Sequence, residues 1–232
     1  MKVLCVGDSL GLPRNGCEYE GTWVYMLKQA NPNDVFISRF ERLLLSKNLL
    51  NSDKSAHGDF SYYYMPDVVV MQLGICDCAP RYYNREKMLW RIIERIGVKL
   101  LSESLYWSII KKVRKRNVKS AYVSIEEFRQ NIDLYINYLI NTISVKKVII
   151  IKIATPSEIV LKASPNILQQ IIKYNGVYDN IQAEYKDKVI IVNPLNTGDA
   201  DLYVDGYHTN EKGGRQVFLA VNYQLGNIRN YL

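Results

Sequence analysis

Five short runs in which nearly every residue is apolar punctuate the chain: 2–6, 34–38, 67–73, 147–153 and 188–192. They are rich in β-branched residues and do not alternate apolar with polar. They therefore suit strands covered on both faces, the condition of a parallel sheet. Between them, apolar residues recur at helical spacing. Residues 16–29 place Trp23, Met26 and Leu27 on one face, and 125–143 repeats Phe128, Ile132, Tyr135, Ile136, Leu139 and Ile143. Residues 165–185 and 211–225 read as two further helices. Strands alternating with helices imply crossover units that put helices on both sheet faces. The pattern predicts an α/β fold, a three-layer α/β/α sandwich around a five-stranded parallel sheet.

One stretch does not fit a compact crossover. From Tyr82 to Ala121 the apolar residues Trp90, Ile92, Ile93, Ile96, Leu100, Leu101 and Ile109 alternate with basic ones, which predicts a helical insertion with an apolar face and a cationic face. The charge of the chain is concentrated there. Residues 81–119 hold 12 Lys or Arg against Glu86, Glu94 and Glu103, a balance of +9 within a net charge of +7, so the remainder is acidic. A solvated cap would explain this. So would a surface that recognises an anionic glycan, the phosphates of acyl-CoA or anionic lipid headgroups. No motif supports nucleic acid as the partner.

The 232 residues suffice for a single domain, 1–232, with its own core. No apolar run approaches the ~20 residues that span a bilayer, and Asp8 interrupts the first apolar stretch as a signal peptide would not. The expected location is cytoplasmic, or peripheral to the inner membrane through the basic insertion. Cys5, Cys17, Cys76 and Cys78 suggest no disulfide framework, and Cys76-x-Cys78 without a second pair is a weak metal signal. No cofactor is called for.

The chemistry stands at the two ends. The first apolar run leads into Gly7-Asp8-Ser9-Leu10, and near the other end the chain reads Asp205-Gly206-Tyr207-His208. A serine hydroxyl is a poor nucleophile until a base takes its proton and a third group fixes that base's tautomer. The histidines are His57 and His208, and His208 follows Asp205 by three residues. Singly, each motif is also an ordinary turn; together they point to Ser9 as nucleophile, His208 as base and Asp205 as its orienter. In a parallel sheet, the loops after the strands meet at one rim where ligands bind. Ser9, Gly74–Arg81, Ala154–Ser157 and the Asp205–His208 loop can all reach it. Gly7-x-Ser9-x-Gly11 also fits the nucleophile elbow of α/β-hydrolases. That elbow normally follows several strands, and its acid lies well apart from its histidine.

With Gly-Asp-Ser-Leu after its first strand and Asp-x-x-His near its end, the chain resembles the GDSL, or SGNH, hydrolases. The resemblance implies a flavodoxin-like strand order and acyl-ester chemistry. It further implies an oxyanion held by the Ser9 N–H, by a glycine from a loop after the second strand, and by an asparagine in a Gly-x-Asn-Asp segment after the third. Here that segment is Gly74-Ile75-Cys76-Asp77, with Cys76 in the asparagine's place. A thiol is a weak donor, and losing one oxyanion donor lowers the rate by about 10² to 10³. Arg81 is the candidate replacement and Gly58 the candidate loop glycine. Asp8 is expected to bond backbone groups in its turn, Asp77 to brace its loop, and His57 to be a polar loop residue. The run Gly74-Ile75-Cys76-Asp77-Cys78-Ala79-Pro80-Arg81 looks like that of SGNH proteins associated with bacterial surface polysaccharide synthesis. An acylated carbohydrate or small ester is the implied substrate. Water as acceptor gives an esterase or carbohydrate O-deacetylase; a sugar hydroxyl gives an O-acyltransferase. The missing asparagine leaves a non-catalytic glycan-binding descendant open.

Overall fold

The five apolar runs form strands β1 (Lys2–Gly7), β2 (Val35–Phe40), β3 (Val68–Gln72), β4 (Lys147–Ile151) and β5 (Val189–Val192). All pair in parallel, in the order β2-β1-β3-β4-β5. The computed structural model describes residues 1–50, 57–80, 88–102, 104–105, 108–109 and 121–230. Successive strand residues point to opposite faces, and this divides the core in two. Leu4, Val6, Val69, Met71, Val148 and Ile150 lie in one apolar cluster with Phe128, Ile132, Tyr174 and Tyr178. Val3, Cys5, Val68, Val70, Ile149 and Ile151 lie in the other with Trp23, Leu27, Val217 and Val221. The central strand β3 is buried along its whole length, whereas β2, at the edge, is not: Val35 is 56% exposed.

The helices that cover the two faces are α1 (Trp23–Ala30) and, later, α5 (Ile125–Asn137), α7 (Ile167–Tyr185) and α8 (Glu211–Arg229). Helix α1 is shorter than its apolar pattern predicts. Thr22 caps it by accepting from the Tyr25 N–H, and the residues before it are held otherwise, by a bridge between Arg14 and Cys17. Helix α5 gives way at Tyr138 to a π turn, Tyr138–Thr142. Helix α8 runs past the predicted end at Leu225 because its apolar face continues to Ile228. Shorter elements are α2 (His57–Tyr64), α3 (Ile75–Cys78) and α6 (Glu158–Ala163). Within the predicted insertion, α4 (Met88–Leu101) is helical, and its Ile92, Ile93, Ile96 and Leu100 are exposed. Most of the rest of 82–121 lies outside the described residues.

The strand order reverses between β1 and β3, which are neighbours in the sheet although the chain leaves them toward opposite edges. A crevice opens outside the carboxyl ends of strands at such a point. Ser9 follows β1 and Gly74 follows β3, so both stand at this position.

Candidate active site

Ser9 opens a 3-10 turn, Ser9–Gly11, capped by the Asp8 carboxylate, whose Oδ1 accepts from the Leu10 N–H at 3.0 Å. The Asp8 N–H donates to the Gln72 carbonyl at the end of β3, which ties the turn to the sheet. From the far end of the chain, the loop before α8 brings His208 over the serine. Ser9 Oγ and His208 Nε2 are 3.0 Å apart, and His208 Nδ1 is 2.7 Å from Asp205 Oδ2. The other carboxylate oxygen, Asp205 Oδ1, accepts from the His208 backbone N–H at 3.0 Å. The sequence separation of three thus lets one carboxylate grip both the imidazole and the backbone of the same residue. Gly206 between them has φ +98°, and a Cβ there would lie 2.7 Å from Ser157 Oγ and from Val160 Cγ2. Glycine lets this loop rest on the start of α6, where Ser157 N–H donates to the Gly206 carbonyl at 2.7 Å.

The electrostatics favour the neutral form of His208 and the ionised form of Asp205. Burial lowers the His208 pKa from its ordinary value, and the nearby Arg14 charge lowers it further, against the opposing pull of Asp205. Partial burial pushes the Asp205 carboxyl up, but the hydrogen bonds from His208 and Tyr207 outweigh it, and the net shift is downward. A neutral imidazole that holds its Nδ1 proton on Asp205 presents a bare Nε2 to the serine. The Tyr207 ring lies against the imidazole, with centroids 4.0 Å apart.

Asp77, fully buried in α3, accepts from both the N–H (2.8 Å) and the hydroxyl (2.7 Å) of Ser46, which fastens the loop after β2 to the loop after β3. Burial pushes the carboxyls of both Asp8 and Asp77 up to about 7. Gly74 precedes α3 with φ +116°, and a Cβ there would lie 2.8 Å from Ile153 Cδ1, so the sharp turn off β3 requires glycine. Cys76 lines the cavity beside Ser9. Gly58 is not where the resemblance puts it. It lies in helix α2, not in a loop, and its carbonyl accepts from Tyr138 Oη at 3.1 Å. Leu43 of the loop after β2 lines the cavity beside Ser9. His57 begins α2, and Arg81 lies outside the described residues.

Two residues emerge that the sequence did not mark. Leu43 adopts φ +60°, unusual for a leucine, and lines the cavity while 57% exposed. Arg14 donates through Nη2 to the Ser9 carbonyl oxygen. Among the described residues, no carboxylate comes within ion-pair distance of Arg14. Neither position follows from local pattern, since each acquires its role from what it meets across the fold.

No family model and no curated protein sequence matches the chain. Solved structures do. Est24, a carbohydrate acetylesterase from Sinorhizobium meliloti, is similar at 12% identity with a TM-score of 0.62, over 98% of this chain and 99% of its own. A lipase/acylhydrolase from Enterococcus faecalis is similar at 16% identity and TM-score 0.60, over 97% and 94%. A protein from Desulfitobacterium hafniense assigned to the lipolytic G-D-S-L family is similar at 12% identity and TM-score 0.56, over 94% of each chain. The chain has the fold of the GDSL esterases. The parallel sheet, its order and the flanking helices are those the sequence pattern and the resemblance led one to expect.

Proposed function

We propose that this protein hydrolyses an acyl ester through Ser9, His208 and Asp205. The observation that carries the reading is the continuous chain of contacts from Ser9 Oγ through the His208 imidazole to Asp205, 3.0 and 2.7 Å, opening on a cavity. His208 Nε2 takes the hydroxyl proton as Ser9 Oγ bonds to the acyl carbon, and the resulting imidazolium is stabilised by Asp205. The carbonyl oxygen becomes an oxyanion, with the Ser9 N–H as its donor. The carbon–oxygen bond to the alcohol then breaks as His208 returns the proton to the leaving oxygen. Water repeats the sequence on the acyl-serine, and its proton passes to His208 and then to Ser9.

For the alcohol we propose a carbohydrate of a bacterial glycan. The acetylesterase function named for Est24 supports this, as does the resemblance of residues 74–81 to the polysaccharide-associated subgroup. For the basic segment we propose contact with an anionic surface at the membrane. Its support is the charge of 81–119 together with the exposed Ile92, Ile96 and Leu100 on α4. No helix among the described residues is long and apolar enough to cross a membrane.

The test is kinetic. Ser9→Ala and His208→Ala should each lower kcat/KM for an activated ester by about 10³ or more, and Asp205→Ala by somewhat less. If His208→Ala retained near-native turnover while His57→Ala lost it, the base would be misassigned.

A further inference from the structure

Just beyond the Ser9 turn the chain folds back on itself. The Arg14 N–H donates to the Cys17 carbonyl at 2.8 Å and the Cys17 N–H to the Arg14 carbonyl at 2.9 Å, which closes a tight loop. Gly16 within it has φ +85°, and a Cβ there would lie 3.1 Å from Val204 Cγ1. The loop therefore rests on the residue that precedes Asp205. It is also tied to the serine, because Arg14 Nη2 donates to the Ser9 carbonyl oxygen at 2.5 Å. Both attachments fix a guanidinium beside Ser9.

That charge has no counter-charge in the protein. Arg14 is partly buried, and the acceptor it meets at Ser9 is a neutral carbonyl, one partner for a group with five N–H donors. The carboxylates nearby are otherwise engaged or turned away. Asp205 holds the imidazole and backbone of His208, and Asp8 holds the Leu10 N–H. Glu18 and Glu211 stand close enough to bear on Cys17, yet among the described residues neither makes an ion pair with Arg14.

A partly buried cation without an anion costs stability, since nothing replaces the water it has lost. On the proposed mechanism it also slows the reaction. The His208 imidazolium must form as Ser9 attacks, and a fixed positive charge nearby opposes it. An anion bound against Arg14 removes both penalties, and a substrate that carries the anion brings the correction with it. The position says which half of the substrate carries it. Arg14 is absent from the lining of the cavity beside Ser9 and is open to solvent in part, as the path of the departing alcohol must be.

We propose that Arg14 is a specificity residue, which pairs with a carboxylate or phosphate on the alcohol half of the substrate. The substrate is then the ester of an anionic alcohol, such as an acidic or phosphorylated sugar. This rests on the ester-hydrolase reading and deepens it.

The experiment compares three aryl acetates of like shape: neutral meta-acetoxybenzamide, meta-acetoxybenzoate and meta-acetoxyphenyl phosphate. In the native protein, kcat/KM for the better anionic ester should exceed that for the amide by at least about tenfold, and which anion leads tells carboxylate from phosphate. Added salt should shrink the preference, because the pair is only partly buried. In Arg14→Gln the anionic-to-neutral ratio should fall by about tenfold; any loss from a loosened Ser9 turn falls on all three esters and leaves the ratio alone. Arg14→Lys, which keeps the charge, should retain a larger ratio than Arg14→Gln. Equal rates on all three esters in the native protein would overturn the proposal. So would a ratio unmoved by Arg14→Gln, a ratio lost equally in Arg14→Lys, or a preference found only when the carboxylate is on the acyl group, as in monoaryl succinate. Should no ester be turned over, the hydrolase reading fails and calorimetry tests the site alone. The better anionic ester should then bind the native protein at least about tenfold tighter than the amide and lose that advantage in Arg14→Gln; equal affinities would overturn the proposal.

Discussion

The Arg14 guanidinium is joined to the backbone of Ser9: Nη2 donates to the Ser9 carbonyl oxygen at 2.5 Å. The bond holds the Ser9 turn from one side, while Asp8 holds it through the Leu10 N–H. It also places a positive charge close enough to His208 to disfavour the imidazolium.

The pH profile of kcat/KM should therefore report Arg14. On the proposed mechanism the neutral imidazole is the active form, so activity should fall as pH drops through the pKa of His208, which burial and Arg14 hold below the ordinary imidazole value. Arg14→Gln removes the charge and should move this acidic limb toward higher pH, with a loss in kcat from the loosened turn. An acidic limb unmoved by the substitution would show that Arg14 exerts no field at the base.

Cys76 offers a gain of function. It stands where the resemblance implies an asparagine, and it lines the cavity beside Ser9. An amide placed there could donate to the oxyanion, so Cys76→Asn should raise kcat on a simple activated ester by about tenfold or more. Unchanged or lower kcat in a folded variant would mean the oxyanion is held elsewhere.

Asp8 and Asp77 make a prediction about stability. Burial pushes both carboxyls up to about 7 from the ordinary 3.8, so the folded protein retains protons that the unfolded chain has released. Between about pH 4 and 7 this contribution favours folding most at the acidic end, and it is lost as pH rises toward 7. His208, with its lowered pKa, works in the opposite sense, so the comparison must be made against a variant. In Asp8→Asn, the thermal midpoint at pH 8 relative to pH 5 should improve over native by a few degrees. A native-like pH dependence would place the raised pKa elsewhere.

The basic segment bears on partners. Vesicles containing phosphatidylserine should pellet the native protein more than phosphatidylcholine alone, with the difference lost at high salt. Ile96→Asp with Leu100→Asp should abolish it, since both side chains are exposed on α4. Equal pelleting of native and variant would make the segment a solvated cap.

The sheet could be read from the sequence because burial on both faces writes itself as unbroken runs such as Val68-Val69-Val70-Met71. That Ser9, His208 and Asp205 meet could be expected because each sits in a short motif beside a strand or helix end. Helix bounds were less legible where capping, as at Thr22, overrode the apolar repeat. Helix α6 was missed because its six residues span less than two turns and it buries none of them. Leu43 and Arg14 had no local signature, and Gly58 was misplaced because a glycine near β3 says nothing of whether a loop or a helix carries it.

The central claim is that Ser9 is an activated nucleophile, and covalent labelling tests it most directly. After incubation with a fluorophosphonate, intact-mass spectrometry should show one adduct on the native protein, a slower adduct on His208→Ala and none on Ser9→Ala. An unlabelled native protein, or equal labelling of Ser9→Ala, would contradict the account.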